Sequence, residues 1–390
     1  FQDAHAIFAG SDFDIEKAVR AALDEIDVVD FKLLKDLAGL QPVLAKRHYH
    51  ETGAMRWFDV SVVPVNEVVH AATSFKPENG AIGQFLLAIP TENESEEHAK
   101  GLCRKAARHS DAWDIVVGIS NRSWAIVPLA RELLALEIVS NHPDLAGDSV
   151  ARREVHARLA ELQSLVETEL HKSFDAALWF QKNHQPKRHR QADLNAIASD
   201  LADYRFSECP RLHNELLNRQ KPSSNAIAAQ NLLLRNMVLK EGEPRLGIDG
   251  FPAEGGLFAS ILESTGLYRQ KEESWRFVPP VSGESDTSRF SPIWNAAFEF
   301  VRQHRDRTIA VSELFDLWRQ PPFGVKDGLM PVLAVAFILS QRDKLAVYRE
   351  GIFRSKFDDV DVDYLAKDPT FIQLRWMDLT DVSRSLLSGM

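Results

Sequence analysis

Two cysteines, Cys103 and Cys209, are all that 390 residues contain; this excludes a disulfide framework and fits reduced thiols in a cytoplasm. Long apolar runs are missing too. A spanning helix needs about 18 consecutive apolar residues, and the longest candidate, Leu329–Leu339, is broken by Pro331. A soluble protein with no membrane partner is expected. Positive charge is not in excess: 46 Lys and Arg stand against 56 Asp and Glu, a net charge of −10. General attraction to nucleic acid is therefore excluded, and any such contact needs a local basic patch. The phosphate-cradling pattern Gly-x-x-x-x-Gly-Lys-Ser/Thr is absent. Gly247-Ile248-Asp249-Gly250 lacks its Lys and its spacing, and Gly324-Val325-Lys326-Asp327-Gly328 has a Lys but no preceding strand, so it reads as a turn. Metal ligands at useful spacing are missing as well. His48 and His50 point to different sides of a helix, and His184 with His189 has no Cys or carboxylate company. No catalytic residue, metal site or cofactor is assigned to this segment, and Cys209, just before Pro210, reads as buried filler. An initiator Met is lacking: the chain starts at Phe1 and its first clear pattern at Asp12, so a part removed upstream, by processing or by a boundary, is expected.

What is present is ample core material, 45% hydrophobic residues, in a length that suggests about two to four domains. The phrase Gly-Leu-x-Pro-Val-Leu-Ala occurs twice, at Gly39–Ala45 and Gly328–Ala334. Each copy is expected to open a helix with Pro in its first turn, followed by an aromatic strand, which is the order of a winged helix-turn-helix. In the first copy Pro42–Glu51 is the helix, Gly53 its left-handed cap and Met55–Val65 the strand. Compact apolar runs at Phe85–Ile89 and Ile115–Ile119 predict a parallel pair of strands. Asp148 or Ser149 caps a long charged helix running through His171, a helical arm. Helices are predicted at 192–205, Pro210–Asn218, Ser223–Leu239 and from Pro252 to Gly266, then a strand at Trp275–Val278. Ser282–Arg289 reads as a linker. The last module has helices at 292–304, Ser312–Arg319 and Pro331–Gln341, and a hairpin turned at Glu350-Gly351. The fold class is thus mixed and mostly α: winged-helix modules flanking a small parallel-strand α/β region and a long helical arm. The domains expected are 1–72, 73–181, 182–281 and 290–390.

Three groups of residues are candidates for contact with a partner. In the first module Lys46, Arg47 and Tyr49 lie on the third helix and Arg56 at the start of its wing, where cations meet phosphates in a groove-reading helix. The equivalent helix of the last module, Val332–Leu339, is apolar all round and must be buried, so the first copy is equally open to a packing role. The loop carrying Lys182, Lys187, Arg188 and Arg190 is the second candidate, against a plain solvated loop. On the predicted helix 210–218 and just beyond it, Asn214 with Asn218 and Glu215 with Arg219 are each four apart, an interface candidate or a self-supporting surface helix.

The runs Cys209–Arg219, Lys221–Ala226 and Leu246–Glu254, with Arg47–Gly53 and Pro322–Gly328, carry a resemblance. They are similar to phrases in the large ATP-binding proteins of bacterial phage-defence islands, of the BREX and phage-growth-limitation kind. The resemblance implies a parent protein with a P-loop ATPase core toward its N-terminus, using ATP and Mg, followed by α/β, helical and winged-helix parts. This chain would be the segment beyond the Walker motif. Its expected partners are other subunits of a defence complex and double-stranded DNA. Two other functions stay open: a winged-helix DNA-binding regulator, and a stand-alone α/β enzyme with its site near Pro90-Thr91 and Ser120-Asn121, where α/β ligands bind.

Overall fold

A computed structural model describes residues 12–26, 29–78, 80–91, 94–109 and 114–377. Helices α1 (Ile15–Glu25) and α2 (Phe31–Leu37) lead into strand β1 (Val43–Leu44), helix α3 (Lys46–Thr52) and strand β2 (Trp57–Pro64). Next come α4 (Val68–Ser74), β3 (Gly83–Ile89), α5 (Glu96–His109) and β4 (Asp114–Ile119). Helices α6 (Ile126–Ser140) and α7 (Ser149–Ala176) precede β5 (Leu178–Phe180), β6 (Lys187–Arg188) and α8 (Leu194–Arg205). The remainder holds α9 (Ser224–Leu239), α10 (Ala253–Leu257), β7 (Tyr268–Lys271), β8 (Ser274–Phe277) and α11 (Ser291–Gln303). It ends with β9 (Ile309–Ala310), α12 (Val311–Arg319), α13 (Met330–Ser340), β10 (Leu345–Arg349), β11 (Ile352–Arg354), α14 (Asp359–Lys367) and β12 (Ile372–Trp376). The chain is a mixed α/β protein, and packing divides it into two compact units. The first takes the residues up to Leu44 and Trp57–Ala198; the second takes Ala45–Arg56 and the residues from Ser199 on. Among the described residues no helix is long and apolar enough to cross a membrane.

The first unit is built on a six-stranded sheet in sequential order β1 to β6. Strands β2, β3 and β4 are parallel, as the apolar runs predict, and β1, β5 and β6 join them antiparallel. All seven residues of β3 are buried, so this strand needs a neighbour on each side and a cover on each face. Helices α4 and α5 cover one face, packing on Leu86, Ala88, Val117 and Ile119. On the other, Phe58, Phe85 and Trp179 form a chain of edge-on rings that Phe174 of α7 extends. The long helix α7 is capped by Asp148, as expected. It packs Ala151 and Val155 with α1 and α6, so it is a layer of this unit's core.

One expectation is corrected here. The strand after Gly53 is not a wing closing a three-helix module: Val60 pairs with Phe85 and Val62 with Leu87, making β2 an interior strand of the sheet. The apolar β3 requires that partner, and β2 answers it with Phe58, Val60 and Val62 buried in alternation.

The second unit packs α9 to α14 around one hydrophobic core. Its centre is α13, buried at Met330 and at every position from Val332 to Leu339, which is where a helix apolar on all sides must lie. The hairpin β10–β11 turns at Glu350-Gly351 as the sequence indicates. The sheet order is β11-β10-β12-β9, so β12, which the sequence reading did not assign, lies between β10 of the hairpin and β9. Asp361, wholly buried on α14, is held by Arg349 at 2.9 Å and Arg354 at 3.1 Å.

Candidate functional site

The residues of the first candidate group lie in the second unit, and most are already engaged. Helix α3 ends at Gly53, φ 72°, as its sequence indicates. A Cβ at Gly53 would stand 2.1 Å from the Leu212 carbonyl oxygen, so glycine is required there both by the backbone and by the neighbour. On the helix, Arg47 donates to Asp200 at 2.8 Å and to Asp203 at 2.5 Å. Tyr49 donates its hydroxyl to Glu215 at 2.9 Å. Only Lys46 is exposed with nothing to pair with among the described residues. Arg56, expected at an exposed wing, is buried at 3% exposure. Its guanidinium donates to His48 Nε2 at 3.0 Å, to the Gly324 carbonyl at 2.7 Å and to Cys209 Sγ at 3.5 Å, and lies 3.6 Å over the Phe206 ring. A side chain so enclosed is not available to a phosphate, and that candidate is withdrawn on burial alone.

Because Arg56 donates to Nε2 of His48, the ring's proton sits on Nδ1 and is given to Asp203 at 2.7 Å. Burial, helped by the Arg56 charge, pushes His48 down to about 4. Burial also pushes Lys326 down to about 7, with Arg56 adding to it. Asp203 is raised by burial, but its hydrogen bonds from Arg47 and His48 outweigh that and hold it below the usual carboxylate range. The expectation that Cys209 is buried filler is met in part: it is buried and free, and it also serves as an acceptor for Arg56.

The predicted helix 210–218 does not form; residues 209–223 run as an irregular strap. Asparagine chemistry explains why. Asn214 Oδ1 accepts from the backbone N–H of Leu216 and Leu217, which replaces helical bonds, and its amide donates to Ser260 at 2.7 Å. Asn218 donates to the Leu212 carbonyl at 2.8 Å. Both asparagines are buried, so they brace the strap and are not on an interface; Glu215 is taken by Tyr49, and Arg219 remains exposed. The strap is fastened by Leu212 N–H to Thr52 O, Glu208 N–H to Pro322 O and Gly328 N–H to Arg219 O. Three of the phrases that carry the resemblance, 47–53, 209–219 and 322–328, therefore meet around Arg56.

At the C-terminal ends of the parallel strands, the alternative enzyme site, Ser120 is buried and its hydroxyl accepts from Arg122 N–H at 3.1 Å. Glu94 accepts from Thr91 N–H at 2.9 Å, and residues 92 and 93 lie outside the described residues. No nucleophile with a base beside it is brought together here among the described residues.

The opposite end of the same sheet is different. Strand β5 runs antiparallel to β4, so the loop 181–186 is delivered to the end of the sheet where α5 also terminates. Between them lies a cleft of about 740 Å³ lined by Arg104, Arg108, Phe180 and residues 181–186, with no carboxylate among its described lining residues. Arg104 and Arg108 are one helical turn apart, and Lys105 and His109 widen the basic face. Part of this charge is the usual complement of a helix C-terminus, but Lys187 and Arg188 on the edge strand β6 are not on that helix and are exposed. Of the second candidate group, Lys182 lines the cleft and Lys187 follows its last lining residue, Pro186, whereas Arg188 stands opposite Leu178 on β5 and Arg190 is tied to Asp193 at 3.1 Å. The sequence reading missed Arg104, Lys105 and Arg108; their signal was the spacing in Arg104-Lys105-Ala106-Ala107-Arg108 on an amphipathic helix. Comparison with known proteins finds no family model, no curated protein and no solved structure that matches this chain.

Proposed function

We propose that this chain is a DNA-contacting and assembly segment of a large, multi-subunit phage-defence ATPase, whose ATP- and Mg-using motor lies elsewhere in the parent protein. The observation that carries the DNA contact is the basic cleft. In a chain of net charge −10, Arg104 and Arg108 of α5 and Lys182 of the loop after β5 line one cleft at the end of the first unit's sheet where α5 terminates. The assembly role is supported by apolar side chains left in solvent on the second unit: Phe251 is 100% exposed, and Ile352 and Phe353 are 69% and 57% exposed on the edge strand β11. The helix order α11, α12, α13 followed by a hairpin is that of a winged helix. With α13 buried, such a module serves packing and does not read a groove.

The test is binding of a labelled 20-base-pair duplex at two salt concentrations. Backbone contacts predict binding at 50 mM salt that weakens steeply by 200 mM, with a slope of about 0.9 per phosphate neutralised. Absence of binding at low salt ends the DNA proposal. ATP turnover by this chain alone would refute placing the motor elsewhere.

A further inference from the structure

The cleft beside α5 is lined by cations, Arg104, Arg108, Lys182 and His184, and by carboxamides, and only the carboxamides match the edge of a base. Arg104 and Arg108 form its helical wall, and Arg104 lies 5.8 Å from the centre of the Phe180 ring beneath it. The other wall is the loop after β5, which brings three carboxamides, Gln181, Asn183 and Gln185, to the same cavity. Among the described residues none of these three side chains has a hydrogen-bond partner. Asn183 is held in the left-handed region, φ 62°, a conformation in which the loop doubles back at that residue. Phosphates need the arginines alone. Carboxamides pair a donor with an acceptor in one plane, which is what the edge of a nucleobase matches. A duplex approached from its backbone shows phosphate and sugar, to which a carboxamide can only donate singly, and keeps its base edges inside, so the paired donor and acceptor of the carboxamides are not both used there. A nucleotide outside a base pair presents both ends.

We infer that this cleft receives one unpaired nucleotide of a bound strand, its phosphate held by Arg104 and Arg108 and its base edge by Gln181, Asn183 and Gln185. The volume, about 740 Å³, lies in the range of pockets that take ligands of nucleotide size, roughly 300–1,000 Å³. Stacking contributes little, because Phe180 is buried at 2% exposure; recognition is by hydrogen bonds and charge. This inference rests on the DNA-contacting reading and sharpens it from a backbone to a single nucleotide.

The experiment measures binding of the whole chain to two 12-base-pair probes, one blunt and one with a single unpaired 3′ nucleotide. The double variant Asn183→Gly, Gln185→Ala is run alongside. Glycine keeps the left-handed turn that alanine would strain, and both positions are exposed, so the fold is left intact. The wild-type chain is expected to bind the overhang about tenfold more tightly than the blunt probe, the discrimination of one good bidentate contact. The variant should lose that preference while binding the blunt probe as before. Equal binding of both probes by the wild type overturns this inference and leaves the DNA-contacting function standing. Binding of neither at low salt overturns both. Competition separates the possible sources: nucleoside monophosphates that remove the overhang preference, where inorganic phosphate does not, identify a site that also takes free nucleotides. Inorganic phosphate acting equally well would show that no base is read, and would also overturn the inference.

Discussion

His48 stands between Asp203 and Arg56 as a neutral ring, and its surroundings fix the direction in which pH acts on the second unit. Burial lowers it from 6.5 to about 4. Between those values an unfolded chain takes up a proton that the folded one refuses, so stability falls as pH drops from 6.5 toward 4. The contribution lost is about 3 kcal/mol at the lower end. Lys326 acts in the same sense at higher pH: its lowered value leaves stability rising between about 7 and 10.5. Melting of the wild type and of His48→Gln across pH 5–7.5 checks this. The variant is expected to be less stable throughout but to lack much of the acid slope; equal slopes would refute it. The glycines around the strap make a second residue-level prediction. A Cβ at Gly53 meets Leu212 O at 2.1 Å and one at Gly328 meets Leu217 O at 2.3 Å, both rigid backbone. Alanine at either is expected to destabilise by more than about 2 kcal/mol. Gly101→Ala, in the middle of α5 with nothing within 4 Å, should instead stabilise by about 0.5–1 kcal/mol. Urea denaturation of the three variants gives the comparison.

Among the elements, the repeated phrase is the most instructive. Gly328–Ala334 opens α13 as expected, with Pro331 in its first turn. In Gly39–Ala45 the Val-Leu of the same Pro-Val-Leu is itself a strand, β1, whose Val43 and Leu44 pair with Phe58 and Trp57, and the helix starts only at Lys46. Proline's fixed φ suits either conformation, and Val is at home in a strand, so local sequence leaves the choice to the nearest partner: β2 in one case, the apolar core in the other. Helix α13 has no such freedom. Replacing Phe337, fully buried between Trp294 and Trp318, with Asp places an unpaired carboxylate in that core and is expected to unfold the second unit. A soluble Phe337→Asp protein with two normal melting transitions would contradict the burial argument. The failed helix at 210–218 has the opposite lesson. Its i, i+4 pairs looked helical, but Asn214 satisfies two backbone N–H groups itself and ends the competition locally.

For the whole molecule, charge is the deciding quantity. A net −10 repels nucleic acid in general, so the proposed binding has to come from one place and has to respond to changes there. Glu at Arg104, Arg108, Lys187 and Arg188 together is expected to lower duplex affinity at 50 mM salt more than tenfold and flatten its salt dependence. All four are exposed, so the melting temperature should hardly move; unchanged affinity would remove the cleft from consideration. Composition and periodicity by themselves determined the parallel pair β3 and β4, the capped helix α7, the buried α13 and the hairpin β10–β11. Each is set by a pattern within its own segment: a continuous apolar run, an Asp before a helix, a Glu-Gly turn. The partner of each strand, the burial of Arg56 and the joining of α5 to the loop after β5 were decided only by tertiary structure. They depend on which distant segment satisfies a backbone edge or a buried charge, and no spacing along one stretch of chain encodes that.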